Sequence, residues 1–188
     1  MDIVRRFSLL IISAIALQGL TILAWAGTNE VSELEHQVKA TYLYKFANYV
    51  EWPANTFPNA DAPVIVGVLN ADEIATTLSN LKQVRAAGNR VVEVKILKPG
   101  ESLNDIQILF IGRQEGVKLK KMLDGIQSQP VLIVTELAGA LGMGSTINFV
   151  HIDDRIRFEV SVLQTERSGL KISARLLSVA QKIEIGRP

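Results

Sequence analysis

Few side chains in this sequence could perform chemistry, and they do not form a familiar catalytic pattern. The two histidines, His36 and His151, lack the neighbours that an HExxH zinc motif requires. His151 is close in sequence to Asp153 and Asp154, and these three could supply nitrogen and oxygen ligands to a metal ion. Because aspartate is also favoured in turns, we interpret Asp153 and Asp154 as turn residues and predict no metal site.

Covalent and acid–base catalysis have little support either. The chain has no cysteine, and no Gly-x-Ser-x-Gly nucleophile elbow accompanies either histidine. Carboxylates are scattered, and a sequence alone does not show whether two of them converge; they include Glu51, Glu93, Glu136 and Glu159. We therefore predict no catalytic residues and a protein that is not an enzyme.

A glycine-rich segment, Gly139–Ser145, follows a predicted strand. A phosphate-binding loop needs a helix N-terminus behind it and a Lys-Ser/Thr pair. Here a strand follows, and the Lys-Ser/Thr pair is absent. A turn or flexible loop is the better interpretation, and whether the segment binds a ligand stays open.

An aromatic cluster is the most unusual feature of the chain. Aromatic residues make up 6% of the sequence, yet five of them fall close together: Tyr42, Tyr44, Phe46, Tyr49 and Trp52. Helical geometry separates Tyr42 from Tyr44 by about 200°, so the five cannot share one stripe. Either they form a wide helix face packed under the loop between Pro53 and Pro63, or some of them form a recognition surface.

Composition indicates a compact globular domain. The 188 residues are 48% hydrophobic and 21% charged, which excludes the disordered and low-complexity classes. The formal net charge of +1 gives no general attraction to nucleic acid. Because cysteine is absent, disulfides, thiolate metal sites and iron–sulfur clusters are excluded, and burial alone must stabilise the core.

The first 26 residues have the pattern of a secretory signal peptide. Arg5 and Arg6 precede an apolar run, and the segment ends in Ala24-Trp25-Ala26. We predict cleavage after Ala26 and a single exported domain over residues 27–188. The removed segment carries one acidic and two basic residues, so 18 of each sign remain and the exported domain is formally neutral.

The elements that must position these side chains alternate between helix and strand. Apolar spacings of four and three predict a helix over 30–50, which Trp52-Pro53 ends. The other predicted strands cover 64–69, 90–97, 106–111 and 131–135, and the other predicted helices cover 72–81 and 117–127. This alternation favours an α/β fold with a mostly parallel sheet flanked by helices.

The pattern changes after Gly139. Two alternating runs, 146–152 and 155–160, flank Asp153-Asp154 and predict an antiparallel hairpin. Apolar spacing over 169–185 predicts a terminal helix. The expected architecture is therefore an α/β domain with a C-terminal antiparallel hairpin and a terminal helix.

Two long motifs resemble those of the YfiR-like family of periplasmic proteins. The first is Val38-Lys-Ala-Thr-Tyr-Leu-Tyr-Lys-Phe-Ala-Asn-Tyr-Val-Glu-Trp-Pro53, and the second is Gly169-Leu-Lys-Ile-Ser-Ala-Arg-Leu-Leu-Ser-Val-Ala180. Phe158-Glu-Val160 also resembles the family, and the apolar strand runs fall in the expected order between the motifs. The resemblance covers nearly the whole exported chain.

The resemblance implies a regulator rather than a catalyst, with no cofactor. YfiR-like proteins are periplasmic repressors that bind an inner-membrane diguanylate cyclase (YfiN-like), which restrains cyclic di-GMP signalling and biofilm formation. An outer-membrane lipoprotein (YfiB-like) can sequester the repressor, and family members form dimers. The alternative is a periplasmic small-molecule sensor without a cyclase partner, since open α/β sheets bind ligands beyond strand ends such as Gly139–Ser145.

For a regulator of this kind, we expect the partner-binding surface in the C-terminal segment, at Glu159, Leu170, Lys171 and Arg175. The plainer interpretation of Lys171 and Arg175 is a solvated helix face or an internal salt bridge. Characterised family members carry disulfide-forming cysteines, whereas this sequence has none. Redox control is therefore not expected here.

Overall fold

A computed structural model describes residues 30–81, 90–113, 116–126 and 128–186. The predicted signal peptide and its cleavage position lie outside these residues. The chain divides into two compact units, residues 1–36 and 37–188. The first unit is described only over 30–36, which are helical, and the second contains the sheet and the elements around it.

Strands and helices alternate along the described residues. In chain order the elements are α1 (30–49), β1 (Val50–Glu51), β2 (Val64–Leu69), α2 (Asp72–Asn80), β3 (Val92–Leu97), β4 (Ile108–Ile111), α3 (Gly116–Asp124), β5 (Leu132–Thr135), α4 (Ala140–Met143), β6 (Ile147–Ile152), β7 (Arg155–Ser161), α5 (Val162–Arg167), β8 (Lys171–Ile172), α6 (Ala174–Leu177) and β9 (Lys182–Glu184). The α/β class predicted from the sequence is confirmed.

Seven strands form one sheet in the order β3-β2-β4-β5-β6-β7-β9. The first five are mutually parallel, β6 and β7 form the predicted antiparallel hairpin, and β9 adds in parallel to β7. Counted from β2, the parallel strands follow the doubly wound order 2-1-3-4-5. The central strands β4 and β5 are buried along their whole length, which explains their continuous apolar sequences.

The β6–β7 hairpin turns at Asp153 and Asp154, as expected. Their φ angles are +48° and +56°, the left-handed conformation that a two-residue type I′ turn requires. Short polar side chains tolerate this conformation through local hydrogen bonds. The turn interpretation of these residues is therefore confirmed.

The predicted terminal helix over 169–185 forms only in part. Gly169 has a φ of +67°, Ser173 caps the four-residue helix α6, and strands β8 and β9 lie on either side of it. The strands form because distant partners are available: β8 pairs with β1, and β9 pairs with β7. Helix α5, which Ser161 caps through its side chain, was not predicted from the sequence.

Two apolar cores lie on opposite faces of the sheet. The first packs under α1, α2 and α6, and the second packs under α3 and α4. Successive residues of one strand alternate between them: Ile108 and Phe110 belong to the first core, while Leu109 and Ile111 belong to the second. The two faces thus have separate packing environments on one shared sheet.

Candidate functional site

The residues predicted to bind a partner occupy three different environments. Lys171 in β8 and Arg175 in α6 are exposed. Leu170 is only 3% exposed and belongs to the first core. Glu159 is half-buried in β7, between β6 and β9. Lys171 and Arg175 are therefore available at the surface, whereas Leu170 packs in the core and anchors the segment that carries them.

A two-stranded antiparallel ribbon joins the end of α1 to this C-terminal segment. Its strands, β1 and β8, pair Val50 with Ile172 and Glu51 with Lys171. One step further, the Ser173 backbone N–H donates to the Tyr49 carbonyl at 2.9 Å. The two motifs that resemble the YfiR-like family are far apart in sequence but adjacent in the fold.

The side chains on this ribbon combine charge and aromatic surface. The Arg175 guanidinium lies 5.9 Å from the centroid of the Tyr49 ring, within the range of a cation–π contact. The exposed Glu51 and Lys171 are cross-strand neighbours of opposite charge. We refer to Tyr49, Glu51, Lys171, Ile172 and Arg175 as the ribbon surface.

Most of the aromatic cluster belongs to the interior rather than to a recognition surface. Phe46 is fully buried, and Tyr42 contacts the rings of Phe149 and Phe158 at 5.9 and 5.4 Å between centroids. Trp52 packs edge-on against Phe57 of the following loop. Packing against the core and the loop thus accounts for these rings, and Tyr49 is the member of the cluster that lies on the ribbon surface.

A buried ion pair ties α1 to the carboxyl end of the parallel sheet. The Lys39 ammonium donates to Glu136, which immediately follows β5; the two side chains are 3% and 12% exposed. The other carboxylate oxygen of Glu136 accepts from the Arg113 backbone N–H at 2.9 Å. This pair was not predicted from the sequence, because its members are 97 residues apart and neither carries a local signal.

Beside Glu136 lies a buried network of hydroxyl and amide groups. The Thr135 hydroxyl is 2.9 Å from the Asn148 side-chain oxygen, which also accepts from the Leu137 backbone N–H at 3.1 Å. The Ser145 hydroxyl is 2.8 Å from that of Thr135 and donates to the Ile147 carbonyl. These bonds fix the Gly139–Ser145 segment against β6, and the segment forms the short helix α4 rather than a phosphate loop.

At the point where doubly wound sheets usually bind ligands, the described parts of the two loops contact each other. Strand order reverses between β2 and β4, and ligand crevices normally open there. The Gly112 backbone N–H donates to the Leu69 carbonyl at 2.8 Å, and a Cβ at Gly112 would stand 2.1 Å from the Asn70 carbonyl oxygen. The segments that follow β2 and β4 are therefore in direct contact at Gly112.

Open volume occurs beside β3 instead. A cavity of about 350 Å³ lies between the β3–β4 connection and α3; Leu97, Leu109, Met122 and Ile126 contribute apolar walls. A second cavity, of about 280 Å³, lies on the opposite face between Tyr44, Leu78 and Val92. Burial raises the pKa of the Tyr44 hydroxyl there above its ordinary value.

The described residues contain no group of three or more His, Asp or Glu side chains that could hold a metal ion. His151 is exposed at the hairpin end. Within the same residues, no helix combines the length and apolarity needed to cross a membrane. The distinctive features of the described residues are an exposed charged ribbon and a buried ion pair.

Fold and site together define a doubly wound α/β domain with an exposed charged ribbon. Comparison with known proteins gives the family directly: the model of the YfiR/HmsC-like family matches residues 36–181. The chain belongs to the YfiR/HmsC-like family, a regulatory family of the periplasm associated with cyclic di-GMP signalling. A search of individual curated proteins found no match.

Proposed function

We propose that this protein is exported to the periplasm, where it binds and represses an inner-membrane diguanylate cyclase. Repression lowers cyclic di-GMP signalling and biofilm formation. Family membership supports the regulatory class. The observation that carries the proposal is the ribbon surface, because the β1–β8 pairing brings the two family motifs into one exposed patch.

The chemistry of this patch suits a protein partner. Arg175 and Tyr49 are residue types that are enriched in binding hot spots, and the Tyr49 ring is half-buried by the fold before any partner arrives. Glu51 and Lys171 place opposite charges at its edge, which suits selection of a partner by charge. The buried Lys39–Glu136 pair and Leu170 hold the supporting elements in place.

Repression then requires differential binding. The protein must bind the inactive conformation of the cyclase more tightly than the active one, because equal affinity for both states shifts nothing. Reversing a 99:1 population of active to inactive cyclase needs a ratio of affinities of about 10⁴. An outer-membrane lipoprotein that competes for the repressor would release the cyclase by mass action.

The test is a double charge reversal on the ribbon, K171E/R175E. Like charges placed against a complementary partner cost several kcal/mol, so capture of the membrane cyclase should weaken by at least about tenfold. Cellular cyclic di-GMP and surface attachment should rise to the level of a gene deletion. A matched double reversal on exposed lysines of α3, K118E/K121E, should keep wild-type capture and wild-type cyclic di-GMP.

Two results would count against the proposal. In one, deletion of the gene leaves cyclic di-GMP and attachment unchanged, which removes the regulatory role. In the other, K171E/R175E represses the cyclase as well as the wild-type protein does. That result would exclude the ribbon surface as the partner-binding site but would leave the regulatory role of the protein standing. Circular dichroism of each variant checks that the fold is retained.

The second candidate function is a periplasmic small-molecule sensor. The cavity of about 350 Å³ favours it, since this volume lies within the range of ligand pockets and its walls combine apolar residues with Lys98, Ser102 and Asn104. A thermal-shift screen with amino acids, nucleotides and anions tests it, because a ligand that binds the folded state raises its stability. Unchanged melting at saturating concentrations would exclude these three ligand classes.

A further inference from the structure

No strand among the described residues pairs with the outer edge of β3 in the seven-stranded sheet. Strand β3 is the last strand on its side and is six residues long. The chain passes from β3 to β4 without a helix, so no crossover helix covers the second face of β3. Glu93 and Lys95 are exposed on that face, and Ile96 on the other face is 53% exposed.

The direction of the free backbone groups along β3 follows from its pairing with β2. The Val64 N–H donates to the Val91 carbonyl at 2.8 Å, and Val64 is in register with Val92. In a parallel ladder, alternate residues bond to the same neighbour, so residues 91, 93, 95 and 97 face β2. The backbone groups of Val92, Val94 and Ile96 therefore point away from the sheet.

Those outward backbone groups allow β3 of one copy to pair with β3 of a second copy in one particular antiparallel register. Outward residues pair with outward residues when Val94 lies opposite Val94 of a second copy, and Val92 then lies opposite Ile96. In the same register Glu93 lies opposite Lys95, at non-hydrogen-bonded positions where side chains approach most closely. Backbone, apolar and charged groups are all satisfied by a single two-fold arrangement.

We propose that two copies of this protein associate through their β3 edges, antiparallel and centred on Val94. The pairing forms about six backbone hydrogen bonds between the copies. It covers the exposed Ile96 side chains and creates two Glu93–Lys95 ion pairs across the interface. The proposal names the dimer surface and is independent of which membrane protein the ribbon surface binds.

The opposite edge of the sheet provides an internal control. The Ser161 N–H donates to the Thr146 carbonyl, so Phe158 and Val160 direct their backbone groups to β9, and Ile183 is the β9 residue whose backbone groups point outward. Strand β9 has only three residues, however, and forms a much shorter ladder than β3. Substitutions there change an edge charge without touching the proposed interface.

Sedimentation equilibrium of the purified exported protein tests the interface. K95E and E93K each replace two attractive pairs with two repulsive ones, which should weaken dimerisation by at least about tenfold. The double variant E93K/K95E restores opposite charges and should restore the wild-type dissociation constant to within about threefold. The control variant K182E on β9 should dimerise like the wild-type protein.

A proline substitution tests the backbone bonds separately. V94P removes an outward donor but none of the bonds to β2, so the fold should survive while dimerisation is lost. Circular dichroism checks that V94P remains folded. Weak dimers typically dissociate in the micromolar range, and the proposal is overturned if the wild-type protein is still monomeric at a concentration about 100 times higher. It is also overturned if K95E dimerises as the wild-type protein does, or if K182E weakens the dimer as much as K95E does. A monomeric wild type would mean that the charges on β3 protect the edge from pairing.

Discussion

The two faces of the sheet are built from different side chains. Every aromatic residue in the described chain belongs to the first core or packs against it, and the second core is aliphatic. The first face is covered by α1 and supports the ribbon surface, whereas the second has α3 and α4 but no helix over the β3–β4 crossover. The cavity of about 350 Å³ lies where that helix is missing.

This difference separates a rigid region from an adaptable one. Interlocking rings on the first face bury large areas and fix α1, and the ribbon that extends from α1 is fixed with it. On the second face, flexible aliphatic side chains surround open volume, and β3 is the last strand of the sheet beside that volume. We infer that the first face positions the partner surface and that the second leaves room for association or a ligand.

The largest expected effect comes from removing a ring of the first core. Phe46 is fully buried and contacts Phe149 and Phe158. Phe46→Ala should lower the free energy of unfolding by about 4 kcal/mol, while Leu119→Ala in the second core should cost about 2.5 kcal/mol. Urea denaturation of both variants measures the difference. Equal costs would remove the distinction between the two faces.

The next effect concerns the ion pair that locks α1 to the sheet. Glu136→Gln keeps an oxygen for the Arg113 N–H but removes the carboxylate charge that faces the buried Lys39 ammonium, which should cost about 3 kcal/mol. The double variant K39M/E136L removes both charges and should recover most of that loss. A double variant less stable than Glu136→Gln alone would show that the charged groups themselves stabilise the fold.

Two glycines on the sheet provide a smaller, paired effect. A Cβ at Gly112 would stand 2.1 Å from the Asn70 backbone oxygen. This steric clash can be relieved only if the backbone moves. A Cβ at Gly67 meets the flexible end of Leu97 at 2.6 Å, on the adaptable second face. Gly112→Ala should therefore cost about 2 kcal/mol and Gly67→Ala about 1 kcal/mol. Thermal unfolding measures both, and the reverse order would contradict an adaptable second face.

Local patterns in the sequence predicted those elements that local forces decide. The apolar runs at 64–69 and 131–135 form buried strands, and the apolar spacing over 30–50 forms α1, as expected. The Asp153-Asp154 turn followed from the preference of aspartate for turns. Each of these signals is complete within one short segment.

The features that were not predicted from the sequence depend on contacts between residues that are far apart along the chain. The segment Lys182–Glu184 becomes a strand because β7 offers an unpaired edge, which overrides the helical spacing of its apolar residues. The ribbon surface requires residues 50–51 to meet 171–172, and the Lys39–Glu136 pair joins residues 97 positions apart. The residues that make these contacts are far apart in the sequence, so no short segment contains both partners. The contacts become visible only in the folded chain.

The smallest expected effect on stability comes from Tyr44, at the border of the first face and its cavity. Its hydroxyl is buried without a hydrogen-bond partner among the described residues. Tyr44→Phe removes an unsatisfied polar group, so the free energy of unfolding at neutral pH should change by no more than about 0.5 kcal/mol. The contrast with Phe46, two residues away, is between a ring that fills the core and a hydroxyl that adds nothing to it.

The same variant has a signature at high pH. Because burial raises the pKa of Tyr44, its proton is held more tightly in the folded state than in the unfolded state. The resulting stability is fully present below the ordinary tyrosine pKa of about 10 and is lost as the pH rises beyond it. Above about pH 10, the free energy of unfolding should therefore fall more steeply in the wild-type protein than in Tyr44→Phe. Parallel curves would show that the hydroxyl is hydrated, and that the first face is open to water at its β3 border.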